Sequence, residues 1–205
     1  MRAVIYALLG GFALGDWIAV RRRVRVAEYL CKPAVVAALV AVALNLHPVD
    51  PGQRRWFVVA LLLSLAGDVF LMLPGDRFVP GLAAFLLAHV AFLVGFVVRG
   101  LHGAQVLAGL EVVALASGLL APRILRDVPE RERAPVAVYM GVISLMVAAA
   151  FGTGGVLAVL GAALFFSSDA TLAWARFVSP DIDSRLFVMV TYHLGQLLLV
   201  ASLAR

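Results

Sequence analysis

The stretch Ser64-Leu-Ala-Gly-Asp-Val-Phe-Leu-Met-Leu-Pro74 places a carboxylate, Asp68, inside a run otherwise fit for lipid. An acid at the centre of a membrane helix costs about 2.5–3.5 kcal/mol on insertion scales, so a residue of this kind points to function. A second stretch, Gly161-Ala-Ala-Leu-Phe-Phe-Ser-Ser-Asp-Ala-Thr-Leu-Ala173, repeats the pattern with Asp169. The chain reads as a scaffold that brings these two acids together.

Composition agrees with a membrane setting. Of 205 residues, 63% are hydrophobic and only 14% charged, whereas a soluble domain is nearer half and a quarter. Mean hydropathy is +1.02. The net charge of +5 is not a nucleic-acid signature, because the arginines sit between apolar runs and form no basic stripe. Cytoplasmic loops rich in Arg explain it. Membrane lipid, not nucleic acid, is the expected partner. The single cysteine, Cys31, excludes an internal disulfide and a cysteine metal cluster. Arg2 followed by an apolar run has the outline of a signal peptide. Arg21, Arg22, Arg23 and Arg25 follow it, however, with no small-x-small cleavage site, which fits a retained first transmembrane helix.

Eight apolar segments emerge, near 3–20, 30–46, 56–73, 80–99, 104–121, 134–151, 154–175 and 185–204. Each is long enough to cross a hydrocarbon core. Pro48, Pro51, Pro74, Pro80, Pro122, Pro129, Pro135 and Pro180 fall between segments or at a first turn, where a missing N–H costs least. Pro33 alone lies slightly inside one. The loops are short, so residues 1–205 are expected to form one all-α integral membrane domain, a bundle of eight transmembrane helices. Arg2, Arg54, Arg55, Arg99 and Arg205 fall on one side, and the other twelve of the 17 Lys and Arg on the opposite side. The positive-inside rule makes the richer side cytoplasmic. A multi-pass protein of the cell (inner) membrane with both termini outside the cytoplasm is expected. Trp17, Trp56 and Trp174 lie near segment ends, as interfacial anchors do, and Asp16 reads as interfacial.

Placing the polar residues by depth is more informative. Asp68 and Asp169 both lie about 8–10 Å in from the cytoplasmic side. Lys32, Tyr139, His89, Tyr192, His193 and Gln196 lie in the same half, and the outer half holds almost nothing ionisable. One polar cavity, open toward the cytoplasmic leaflet, is therefore expected. Helical spacing groups Ser64, Gly67, Asp68 and Leu71 on one face, and Gly161, Phe165, Ser168, Asp169 and Leu172 on another. Gly81, Phe85, His89 and Phe92 form a third stripe, and Tyr192 and Gln196 are one turn apart. Small residues beside each acid allow close helix approach. The two acids stand four helices apart on segments running the same way, the pattern of a tandem four-plus-four repeat.

These residues resemble the YhhN-like family of membrane lysoplasmalogenases. The matching pieces are Lys32-Pro33, Gly67-Asp68 with Leu71, Gly81…Phe85…His89, Tyr139, Gly161…Phe165…Ser168-Asp169 and Tyr192…Gln196. His193 departs from the family, which often has an aromatic residue there. The resemblance implies an eight-helix hydrolase that cleaves the vinyl ether bond of lysoplasmalogens, giving a fatty aldehyde and glycerophosphocholine or glycerophosphoethanolamine. Acid cleaves such a bond: protonation of the β-carbon gives an oxocarbenium-like species, to which water adds. Two carboxyl groups in an apolar cavity can divide the acid and base roles. Asp68 and Asp169 are expected to be this catalytic pair. Lys32 either holds one carboxylate ionised or meets the lipid phosphate, which Arg22 or Arg185 would otherwise meet. Tyr139, Tyr192, Ser168, Gln196 and His89 would orient water, carboxylates or glycerol hydroxyl. The chain would lie among Phe85, Phe165 and Phe166.

Other classes are a proton-coupled transporter of lipid or small molecules, and a noncatalytic lipid-binding protein. Against a transporter stand the gathering of polar groups on one side and the absence of Gly/Pro-broken helix pairs. No metal or other cofactor is expected, since neither a His-x-x-x-His pair nor a cysteine ligand is present.

Overall fold

A computed structural model describes residues 2–204, and Arg205, counted above among the outer charges, lies outside them. The described residues form eight α-helices: α1 (Arg2–Arg22), α2 (Arg25–Asn45), α3 (Pro51–Met72), α4 (Phe78–Arg99), α5 (Gly103–Asp127), α6 (Glu130–Gly152), α7 (Val156–Ala173) and α8 (Arg185–Ala201). All eight are long and apolar enough to span a membrane, and the protein is a multi-pass integral membrane protein. A π-helical turn, Trp174–Val178, extends α7, and a 3-10 turn, Ser202–Ala204, extends α8.

The helices run past the apolar segments because their charged ends are also helical. α2 begins at Arg25 and α6 at Glu130. α3 starts where Asp50 caps it, its Oδ1 accepting the Gln53 N–H at 2.7 Å, with Pro51 at the first helical position. Gly100 ends α4 at φ +101°, a conformation that favours glycine. Three prolines depart from the expected placement, Pro33 among them, since α2 begins at Arg25 and Pro33 lies two turns inside it; the other two are on α5 and α6. Pro122 lies inside α5, and Pro135 lies past the first turn of α6. Both are exposed on outward faces, where the lost backbone bond burdens no helix contact.

Neighbouring helices pack as hairpins, α1 with α2, α3 with α4, α5 with α6 and α7 with α8, and α4 against α6 joins the two halves. α4 and α8 are the most enclosed spans, while α5 buries only Gly109, Val113 and Ile124. Phe57, Phe92, Phe96 and Phe165 are fully buried at the centre. Leu30, Leu107, Leu115 and Leu119 face outward, as a lipid solvent permits. Of the tryptophans, Trp56 is exposed near a helix end. Trp17 instead turns inward and donates its indole N–H to His193 Nδ1 at 3.1 Å.

Candidate active site

Close helix crossings set the site. A Cβ on Gly161 would fall 2.8 Å from the Leu199 nitrogen, and one on Gly195 would fall 2.9 Å from the Phe165 nitrogen. α7 and α8 therefore touch backbone to backbone, as small residues allow in membranes. A Cβ on Gly67 would lie 2.6 Å from the Phe85 ring, so α3 takes that ring flat against its backbone just beside Asp68.

Around Asp68 the carboxylate is 1% exposed. Lys32 Nζ of α2 approaches its Oδ1 at 2.9 Å. The Tyr192 hydroxyl of α8 donates to its Oδ2 at 2.7 Å. One oxygen is thus held by an ion pair and the other by a hydrogen bond. Gln196, one turn further along α8, is fully buried.

Around Asp169 the donors differ. The Tyr139 hydroxyl of α6 donates to Asp169 Oδ2. His89 Nε2 of α4 lies 2.8 Å from the Tyr139 oxygen and 3.1 Å from the same Oδ2. Because the tyrosine proton is directed to the carboxylate, the network assigns the hydrogen of His89 to Nε2. Both contacts fall on Oδ2.

Each acid therefore takes one partner from the helix before its own and one from the helix after the other acid. For Asp68 these are α2 and α8, and for Asp169 they are α6 and α4. Phe165 stands between the clusters, its ring centroid 5.3 Å from that of Tyr192 and 4.7 Å from that of His89. The two acids are assembled around one aromatic wall, the Phe165 ring.

Six of the expected site residues, Lys32, Asp68, His89, Tyr139, Asp169 and Tyr192, thus fall into these two clusters, and Gln196 lies beside Tyr192. Ser168 does not join them. Its hydroxyl donates to the Val188 carbonyl at 3.0 Å, because adjacent helix residues point about 100° apart and Asp169 already faces the site. Phe85 and Phe166 line an apolar pocket with Leu82, Met140 and Ile143, and Asp169 and Tyr139 stand at its edge. Phe165 is in the wall instead.

A larger cavity of about 830 Å³ lies among the loops at the arginine-rich end, lined by Arg23, Arg25, Lys32, Arg176 and Arg185 among others. Leu71, Phe78 and Leu172 border both cavities. Arg22 does not line it. Arg185 pairs with Glu28 at 2.6 Å, and Arg23 with Asp183 at 3.0 Å. Arg176 bonds Asp76 at 2.9 Å and covers the Phe78 ring at 3.8 Å. The Arg176 hydrogen bond, with a further one from the Phe78 N–H, holds the Asp76 carboxyl below its ordinary value.

Asp16 is the residue that sequence reasoning misplaced. It is 0% exposed, within the bundle and not at its interface. The signal was depth: Asp16 lies six residues before the end of α1, and Lys32 lies at a matching depth from the start of α2. Among the described residues no group of three or more His, Cys, Asp or Glu is disposed to hold a metal ion.

Residues 27–203 match the YhhN family. The chain belongs to the YhhN family. Every residue of the two acid clusters falls inside the matched span, while α1 with Asp16 lies before it. The lysoplasmalogenase TMEM86B of Homo sapiens is 35% identical over 154 residues, covering 75% of this YhhN chain and 66% of the human protein. A lysoplasmalogenase of Mycobacterium bovis is 32% identical over 179 residues, covering 82% and 67%. TMEM86B of Mus musculus is 33% identical over 182 residues, covering 85% and 78%. The chain thus spans about two thirds of the length of the first two relatives. No solved structure matches it.

Proposed function

We propose that this YhhN chain is a membrane lysoplasmalogenase, one eight-helix domain that hydrolyses the vinyl ether bond of lysoplasmalogens. The observation that carries the reading is the pair of carboxylates with unlike surroundings, one of them at the edge of an apolar pocket. The names of the human and mycobacterial relatives support the substrate class.

The alkenyl chain lies in the apolar pocket, and the phosphate head group lies in the larger cavity near Arg25 and Arg185. Asp169 is the acid. Its Oδ2 receives Tyr139 and His89, which leaves Oδ1 to carry a transferable proton toward the chain. That proton goes to the β-carbon of the vinyl ether, and an oxocarbenium forms at the carbon bearing oxygen. Asp68, paired with Lys32 and Tyr192, is the base. It takes a proton from water as the water oxygen bonds to that carbon. The hemiacetal then loses its hydroxyl proton while the glycerol oxygen gains one and leaves. The products are the aldehyde and the glycerophospho-alcohol. Transfer of the proton from Asp68 back to Asp169 through water closes the cycle.

The arginine-rich end is cytoplasmic under this reading, by the positive-inside rule. The termini are outside, the cavity opens to the inner leaflet, and the membrane is the cell (inner) membrane.

Aldehyde release from a lysoplasmalogen by detergent-purified protein is the test. Wild type should release aldehyde, and Asp68→Asn and Asp169→Asn should each lose about 10²–10⁴-fold in turnover, the usual span for acid–base groups. Near wild-type turnover in both folded variants would sink the proposal.

A further inference from the structure

The mechanism above leaves one fully buried ionisable side chain unused. Asp16 on α1 is 0% exposed, and neither of its carboxyl oxygens has a hydrogen-bond partner among the described residues. α1 packs against α2 and α8, and the approach is close, since a Cβ on Gly15 would lie 3.2 Å from Cys31 Sγ. Lys32, Glu28, Asp68 and Arg185 are the charged groups that act on Asp16. The neighbouring thiol is Cys31, and the imidazole facing α1 from α8 is His193.

Counting charge around this residue is decisive. Glu28 and Arg185 close on each other at 2.6 Å and leave no surplus. His193 Nδ1 accepts the Trp17 N–H, so its lone pair is used and the ring is neutral. That leaves one ammonium, Lys32, for two carboxyls, Asp16 and Asp68. Ionised together, they would bury one uncompensated negative charge, which an apolar interior strongly opposes. One proton restores balance. Asp68 has the Lys32 ammonium 2.9 Å from one oxygen and the Tyr192 hydroxyl bonded to the other, and Asp16 has neither kind of partner.

We propose that Asp16 holds the one spare proton of the Asp16–Lys32–Asp68 cluster, and so acts as a positioning residue that leaves Lys32 wholly to Asp68. The role rests on the hydrolase reading insofar as Asp68 is its base, but the placement of the proton does not. Asp16 lies before the span that matches the family, so α1 adds this control to a site built by the other helices.

Infrared spectra of detergent-purified wild type, Asp16→Glu and Asp68→Glu at neutral pH test it without any substrate. Each variant keeps both carboxyls, so the cluster keeps its single proton. In Asp16→Glu the carboxylic acid C=O band should move to the glutamic acid frequency, and in Asp68→Glu it should stay while a carboxylate band moves. An acid band that stays in Asp16→Glu, or moves to the glutamic acid frequency in Asp68→Glu, overturns the proposal. Should one variant not fold, the other decides alone. Aldehyde release on the same samples separates the two readings. An inactive wild type whose acid band moves in Asp16→Glu refutes the hydrolase and upholds the shared proton. In active protein, the alkaline fall of the pH profile should move to higher pH in Asp16→Asn, where loss of the Asp169 proton alone sets it, and an unchanged profile counts against the positioning role.

Discussion

Lys32 has its ammonium within 2.9 Å of a carboxylate that is almost fully enclosed. Breaking one side of such a pair leaves an uncompensated buried charge, at a cost of about 3–5 kcal/mol. Lys32→Met should therefore lower the thermal unfolding midpoint sharply in detergent. Adding Asp68→Leu to it should restore much of the stability while aldehyde release stays absent, which separates the structural role of the pair from its chemical one. Asp68, Asp169 and Lys32 were legible in the sequence because charge inside an apolar run is expensive and therefore conspicuous. Tyr192 and His89 were legible from helical spacing. Asp16 was not, because five residues from an arginine run looks like an interface until the neighbouring helix is seen to carry Lys32 at the same depth. Ser168 misled in the opposite direction. It shares a broad stripe with Asp169, but its hydroxyl is taken by the Val188 carbonyl.

Among the helices, the α7–α8 crossing carries the sharpest constraint. Gly161 and Gly195 face each other, and a side chain on Gly161 meets backbone at 2.8 Å instead of a movable side chain. Gly161→Val should separate the helices, costing about 1–3 kcal/mol as overpacking does, and should displace Tyr192 from Asp68. A fall in both thermal midpoint and turnover is the expected result. The number of helices was legible because eight apolar runs cannot be hidden. Their ends were not, because Arg and Glu are good helix formers and hydropathy stops at the first charge while the helix continues. The π-helical turn at Trp174–Val178 left no mark in the apolar pattern. It places Arg176 over Phe78, where the guanidinium also reaches Asp76.

At the scale of the whole molecule, the Asp76–Arg176 contact ties the loop between α3 and α4 to the π-helical turn that extends α7, and so joins the two acid-bearing helices at one end. Asp76 binds its proton less readily in the folded protein than its ordinary value of 3.8 implies. The stabilisation is therefore complete above the ordinary carboxylate range and is lost as pH falls through the lowered value. The difference in melting midpoint between wild type and Asp76→Asn, present at neutral pH, should vanish on acidification below that range. The apolar pocket offers a second test. Met140→Trp should fill it and abolish turnover on long-chain substrate, leaving the melting midpoint within a few degrees of wild type. The exchange of donors between the acids leaves each half of the chain incomplete alone. A chain cut between α4 and α5 gives two pieces, each with one acid and with one of that acid's two partners on the other piece, Tyr192 for Asp68 and His89 for Asp169. Neither piece can complete the surroundings of its own carboxylate, so the two halves must come together before either cluster exists.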